Sequence, residues 1–88
     1  MYLKKSIIIS ELDDGFVAID SDVSDDRFNG MVKLNETAKE ILEILKEDIS
    51  QEELIERFAQ NNDTSVEEVK EDIIDIVNKL KEIKYIVS

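Results

Sequence analysis

The sequence predicts an α+β domain in which a three-stranded antiparallel sheet is followed by three helices. Three observations carry this expectation. β-Branched residues and turn signals fill residues 1–35, helical apolar spacing takes over at Ala38, and Ser-led capping boxes divide the remainder. At 88 residues the chain has room for one small domain, expected to span 1–88. A core of that size is thin, so every element must contribute apolar surface.

The strands come first. Ser6-Ile7-Ile8-Ile9-Ser10 is rich in β-branched residues and fits a strand. Asp13-Asp14-Gly15 is a turn signal, because Gly accepts positive φ and Asp favours local hydrogen bonds. Phe16 to Asp20 is then the returning strand of a hairpin. Ser21 to Arg27 is polar and acidic and reads as a loop, and Asn29-Gly30 marks a second turn. Met31-Val32-Lys33-Leu34 forms the third strand, with Val32 and Leu34 on one face and Met31 and Lys33 on the other.

Three helices follow. Asn35 can cap the first, with Glu36 favourable at its positive end and Ala38, Ile41, Leu42 and Leu45 at helical spacing. Ser50-Gln51-Glu52-Glu53 opens the second, whose apolar side is Leu54, Ile55, Phe58 and Ala59, and Asn61-Asn62-Asp63 breaks it. Ser65-Val66-Glu67-Glu68 opens the longest. Its Val66, Val69, Ile73, Ile76, Leu80 and Ile83 repeat is short for a coiled coil and reads as a core-facing helix. Tyr85-Ile86-Val87 folds back or adds a short strand. Three short strands beside three helices make a winged-helix-like arrangement, which by itself does not give a function.

Composition excludes much chemistry. There is no Cys and no His, so thiolate zinc sites, cysteine nucleophiles and the usual general base are absent. Eleven Lys and Arg against 22 Asp and Glu give a net charge of −11, which repels nucleic acid and anionic membranes alike. The 42% hydrophobic content is too high for a disordered acidic tail, and no apolar run is long enough to span a bilayer. The N-terminal lysines and three isoleucines are too short for a signal-peptide core, so a cytoplasmic protein is expected.

Carboxylates are the abundant reactive groups. Glu67/Glu71 and Glu68/Asp72 share helix faces at i, i+4 spacing, yet they lie on exposed-looking positions and match no metal or acid–base motif. A solvated face explains them, and neither catalysis nor a cofactor is expected. What remains is binding. A short sheet leaves an edge of unpaired backbone groups, on which a peptide can add itself as a further strand. Met31 to Leu34 is the candidate edge, and the longest helix, apolar over half its circumference, is the candidate wall.

These residues also carry a family resemblance. Leu34-Asn35-Glu36-Thr37-Ala38 at the strand-to-helix junction, Glu71-Asp72-Ile73 in the third helix, the Asp14-Gly15 turn and the Ser-led start of the second helix resemble the PqqD-like family. The likeness runs over about residues 14 to 87. It implies a winged-helix-like recognition element for ribosomally synthesised and modified peptides. Such an element binds the leader segment of a precursor peptide by strand addition and presents it to a modifying enzyme, such as a radical-SAM maturase or a leader peptidase. Carried onto this chain, the pairing strand is Phe28 through Leu34, including Met31, Val32 and Lys33. The wall is drawn from Val69, Asp72, Ile73, Ile76, Val77 and Leu80, without distinction between cleft and core. The charge favours a leader that is basic or mostly apolar. The alternative is a dimerisation or regulatory module of the same shape that binds no leader. The family often has Gly where the third helix ends, and Lys84 stands near that point here, which predicts a different ending.

Overall fold

The hairpin at the heart of the sheet joins β2 (Ile7–Leu12) to β3 (Gly15–Asp20) through a turn at Asp13 and Asp14. Gly15 sits at φ 150°, a conformation that L side chains rarely adopt, so the turn requires glycine there. β3 pairs on its other side with β4 (Met31–Leu34), giving an antiparallel sheet of order β2-β3-β4. These coordinates come from a computed structural model that describes residues 1–22 and 31–88. Phe28, the Asn29-Gly30 turn and most of the expected Ser21–Arg27 loop lie outside the described residues.

The helices are α1 (Glu36–Ile44), α2 (Gln51–Asn61) and α3 (Val66–Glu82). All three begin where the sequence signals them. The side chains of Asn35, Ser50 and Ser65 accept hydrogen bonds from the backbone N–H groups of Ala38, Glu53 and Glu68. Each satisfies a donor that the first turn cannot pair internally.

Two of the helix ends share a Schellman motif. At the end of α2, Asp63 takes φ 51°, with Asp63 N–H bonded to Gln60 O at 3.3 Å and Thr64 N–H to Ala59 O at 3.0 Å. At the end of α3, Lys84 takes φ 67°, with Lys84 N–H bonded to Lys81 O and Tyr85 N–H to Leu80 O, both at 3.0 Å. The expectation of a different ending at Lys84 is therefore corrected. The left-handed cap forms without glycine because it turns the chain so that Tyr85, 1% exposed, enters the core. Tyr85 Oη donates to the carbonyl of Ala18 at 3.3 Å, tying the end of α3 to the central strand.

Tyr85-Ile86-Val87 supplies the short added strand that the sequence offers as one option, while its partner at the N-terminus has no counterpart there. β1 (Tyr2–Leu3) pairs antiparallel with β5 (Ile86–Val87) as a separate two-stranded sheet. Leu3 N–H also bonds Leu45 O at 2.7 Å, and Lys4 N–H bonds Tyr85 O at 2.9 Å. Two residues show no alternation, so β1 is not visible until its distant partner is known.

The core lies between one face of the three-stranded sheet and the helices. Ile7, Ala18 and Leu34 close it from the sheet side, and Ile41, Leu42, Leu45, Leu54, Ile73 and Val77 are buried in it from the helices. Each fully buried aliphatic side chain of this kind stabilises the fold by about 1.5–3 kcal/mol. α1 packs on α2, β3 and β4, while α3 makes its principal contacts with α2 and β5.

Candidate functional site

β4 is an edge. It bonds to β3 on one side, in the register Phe16↔Leu34, Val17↔Lys33, Ala18↔Val32 and Ile19↔Met31. Among the described residues nothing pairs with its other side. β2 is the second edge of the same sheet. Unpaired N–H and C=O groups along an edge form a template for another extended chain.

The side chains of β4 divide as alternation requires. Leu34 is buried, 4% exposed, and Val32 is half-buried against the core. Met31 is 65% exposed and Lys33 is also exposed. Lys33 Nζ lies 3.4 Å from Asp14 Oδ2, an exposed ion pair of little energetic weight. The strand leads straight into α1 through the Asn35 cap, so its position is fixed by the helix that follows.

α3 sorts the remaining candidates. Ile73, Val77 and Leu80 are 1%, 0% and 5% exposed and belong to the core. Their burial leaves little side-chain surface exposed. Val69 and Ile76 are half-buried against the core, and Asp72 is exposed. At about 100° per residue, Val69, Asp72 and Ile76 lie on one flank of the buried stripe, and Val66, Lys70 and Ile74 on the other. The second flank lines a shallow pocket with Ile55 of α2. The flank bearing Val69, Asp72 and Ile76 is accordingly the one turned from α2. Ile83, also half-buried, continues that flank two heptads beyond Val69. It is visible in the sequence as part of the apolar repeat, but periodicity alone does not distinguish the two flanks.

An ionic cluster lies at the end of the sheet where β2 begins and β3 ends. Asp20 Oδ2 pairs with Lys4 Nζ at 2.7 Å, while its Oδ1 accepts from Ser6 Oγ at 2.6 Å and from Asp22 N–H at 2.9 Å. Burial pushes the Asp20 carboxyl up. The hydrogen bonds from Lys4, Ser6 and Asp22 outweigh it and hold the group below the usual carboxylate value. The Lys4 ammonium is raised, chiefly by its hydrogen bond to Asp20. Burial likewise raises the Tyr85 phenol, with the Asp20 charge adding to the shift. Among the described residues no three carboxylates converge as a metal-holding group, and no described helix is long and apolar enough to cross a membrane.

A three-stranded antiparallel sheet with an edge left unpaired among the described residues, followed by three helices, defines a small α+β domain. The chain belongs to the PqqD family: the model for coenzyme PQQ synthesis protein D matches residues 8–86. No curated protein sequence is a significant match. Among solved structures, the chain is similar in fold to "TbiB1 in Complex with the TbiA(beta) Leader Peptide". The TM-score is 0.71 and the identity 16%, over 97% of this chain and 93% of that one.

Proposed function

We propose that this domain binds the leader segment of a ribosomally made precursor peptide, by strand addition on β4, and presents the peptide to a modifying enzyme. The observation that carries the reading is the edge of β4, which is unpaired among the described residues. Membership of the PqqD family supports it, as does the likeness in fold to TbiB1 in complex with the TbiA(beta) leader peptide. Backbone pairing supplies the main attraction and is sequence-tolerant; side-chain contacts supply the choice of peptide. The wall of the groove is assigned to Val69, Asp72 and Ile76. Ile73, Val77, Leu80 and Leu34 act behind it by holding helix and strand in place.

In this role the domain performs no bond chemistry. Holding a leader near the enzyme raises the local concentration of the attached core peptide, to roughly the mM range for a short linker. The enzyme it serves is a peptide-modifying one, such as a radical-SAM maturase or a leader peptidase. The domain is taken to act in the cytoplasm.

The test is an amide-shift titration with synthetic leaders of precursor peptides encoded beside this protein's gene. The expected perturbations cluster at residues 31–34 and along the Val69–Ile76 flank. Perturbations confined to α2 or β2 would show that the site is misplaced. A dimer that persists unchanged with every leader would favour the dimerisation reading.

A further inference from the structure

The face of the sheet that turns away from the helices carries an apolar row. Alternation places Ile8, Ile19 and Met31 on the side opposite Ala18 and Leu34, and the strand register aligns these three residues across β2, β3 and β4. Ile8 is 54% and Met31 65% exposed, both high for large apolar side chains. The next row along is Ser10, Val17 and Lys33. It ends in a charge at β4, so on this face β4 offers apolar surface at Met31 alone.

A peptide added to β4 has a two-residue period like any strand. Its residue opposite Val32 turns towards the helical layer, while its residue opposite Met31 lies on the outer face and extends the row by one member. Building on the strand-addition reading above, we propose that Met31 is a specificity-determining residue, which selects a β-branched or aromatic residue at the peptide position directly opposite it. Cross-strand neighbours of this kind attract each other beyond their backbone pairing. The flexible thioether side chain of methionine can pack against either shape. The peptide is thus read on both faces: by the α3 flank on one, and by Met31 on the other.

The test selects binders from a random-peptide phage library against the wild-type protein and Met31→Lys. Wild type is expected to enrich peptides with apolar residues at alternate positions on one face, plus one apolar position on the other. Met31→Lys is expected to convert that single position to Asp or Glu and leave the remaining consensus unchanged. A wild-type-selected peptide should bind Met31→Ser up to about fivefold more weakly and Met31→Ile nearly as well. Thermal unfolding of each variant checks that this exposed position leaves the fold intact. An identical consensus from wild type and Met31→Lys, or undiminished binding to Met31→Ser, overturns the Met31 assignment while strand addition stands. If no selected peptide shifts the β4 amides, strand addition fails and the Met31 proposal fails with it.

Discussion

Lys84 shows what a single residue can conceal. A lysine at φ 67° pays about 1 kcal/mol relative to a right-handed conformation, yet the turn it makes delivers Tyr85 to the core. Lys84→Gly removes that strain, and chemical denaturation should find the variant more stable by about 0.5–1 kcal/mol. A destabilised variant would mean that the lysine side chain makes a compensating contact. Asp20 gives a second prediction. Its carboxyl is held below the ordinary value of 3.8, so its stabilising contribution is present above that pH and is lost as the pH falls through the lower folded-state value. The raised Lys4 ammonium loses its share only above its ordinary value of 10.5. Urea unfolding of wild type and Asp20→Asn should therefore differ at neutral pH, with the difference shrinking once the pH drops below 3.8. The helix caps at Asn35, Ser50 and Ser65 are legible in the sequence because a side-chain oxygen at that spacing has one strong local use. The left-handed lysine is not legible, because residue preference opposes it and only the distant Ala18 carbonyl and core reward it.

At the scale of elements, the same physics separates what could be read from what could not. Strands β2, β3 and β4 follow from alternation and turn residues within a few positions, and the pattern at Met31–Leu34 gives the two faces, of which burial makes that of Val32 and Leu34 the inward one. β1 and β5 pair residues from opposite ends of the chain; the apolar group Tyr85-Ile86-Val87 marks a short strand as one option, but nothing local marks Tyr2–Leu3 as its partner. For α3 the apolar spacing identifies a buried stripe but not its borders, which depend on where α2 lies. In the structure, Ile55 of α2 lines a shared pocket with Val66, Lys70 and Ile74, which marks that flank as the one beside α2. Two substitutions test the resulting division of labour. Ile73→Ala, at a position 1% exposed, should destabilise the fold by about 2–5 kcal/mol. Ile76→Ala, at a half-buried position, should cost less stability but weaken peptide binding. Equal stability losses in thermal unfolding would remove the distinction between core stripe and cleft wall.

For the whole molecule, charge and topology act together. A net charge of −11 surrounds an edge strand whose only charged residue is Lys33. The field discourages polyanions and accelerates encounter with basic peptides, so association rates for a basic leader should fall as salt is raised. A rate that does not change with salt would remove electrostatic steering from the account. The topology leaves two open edges, β2 and β4, among the described residues, and the functional reading depends on which one accepts a partner. Family resemblance pointed to the third strand, and the structure places that strand, now β4, against α1 with one side unpaired among the described residues. Amide hydrogen exchange with and without a bound leader addresses this choice directly. Slowed exchange at Met31–Leu34, with β2 unchanged, is the predicted result. Protection that instead appears along the outer side of Ile7–Leu12, with β4 amides unaffected, would contradict strand addition on β4.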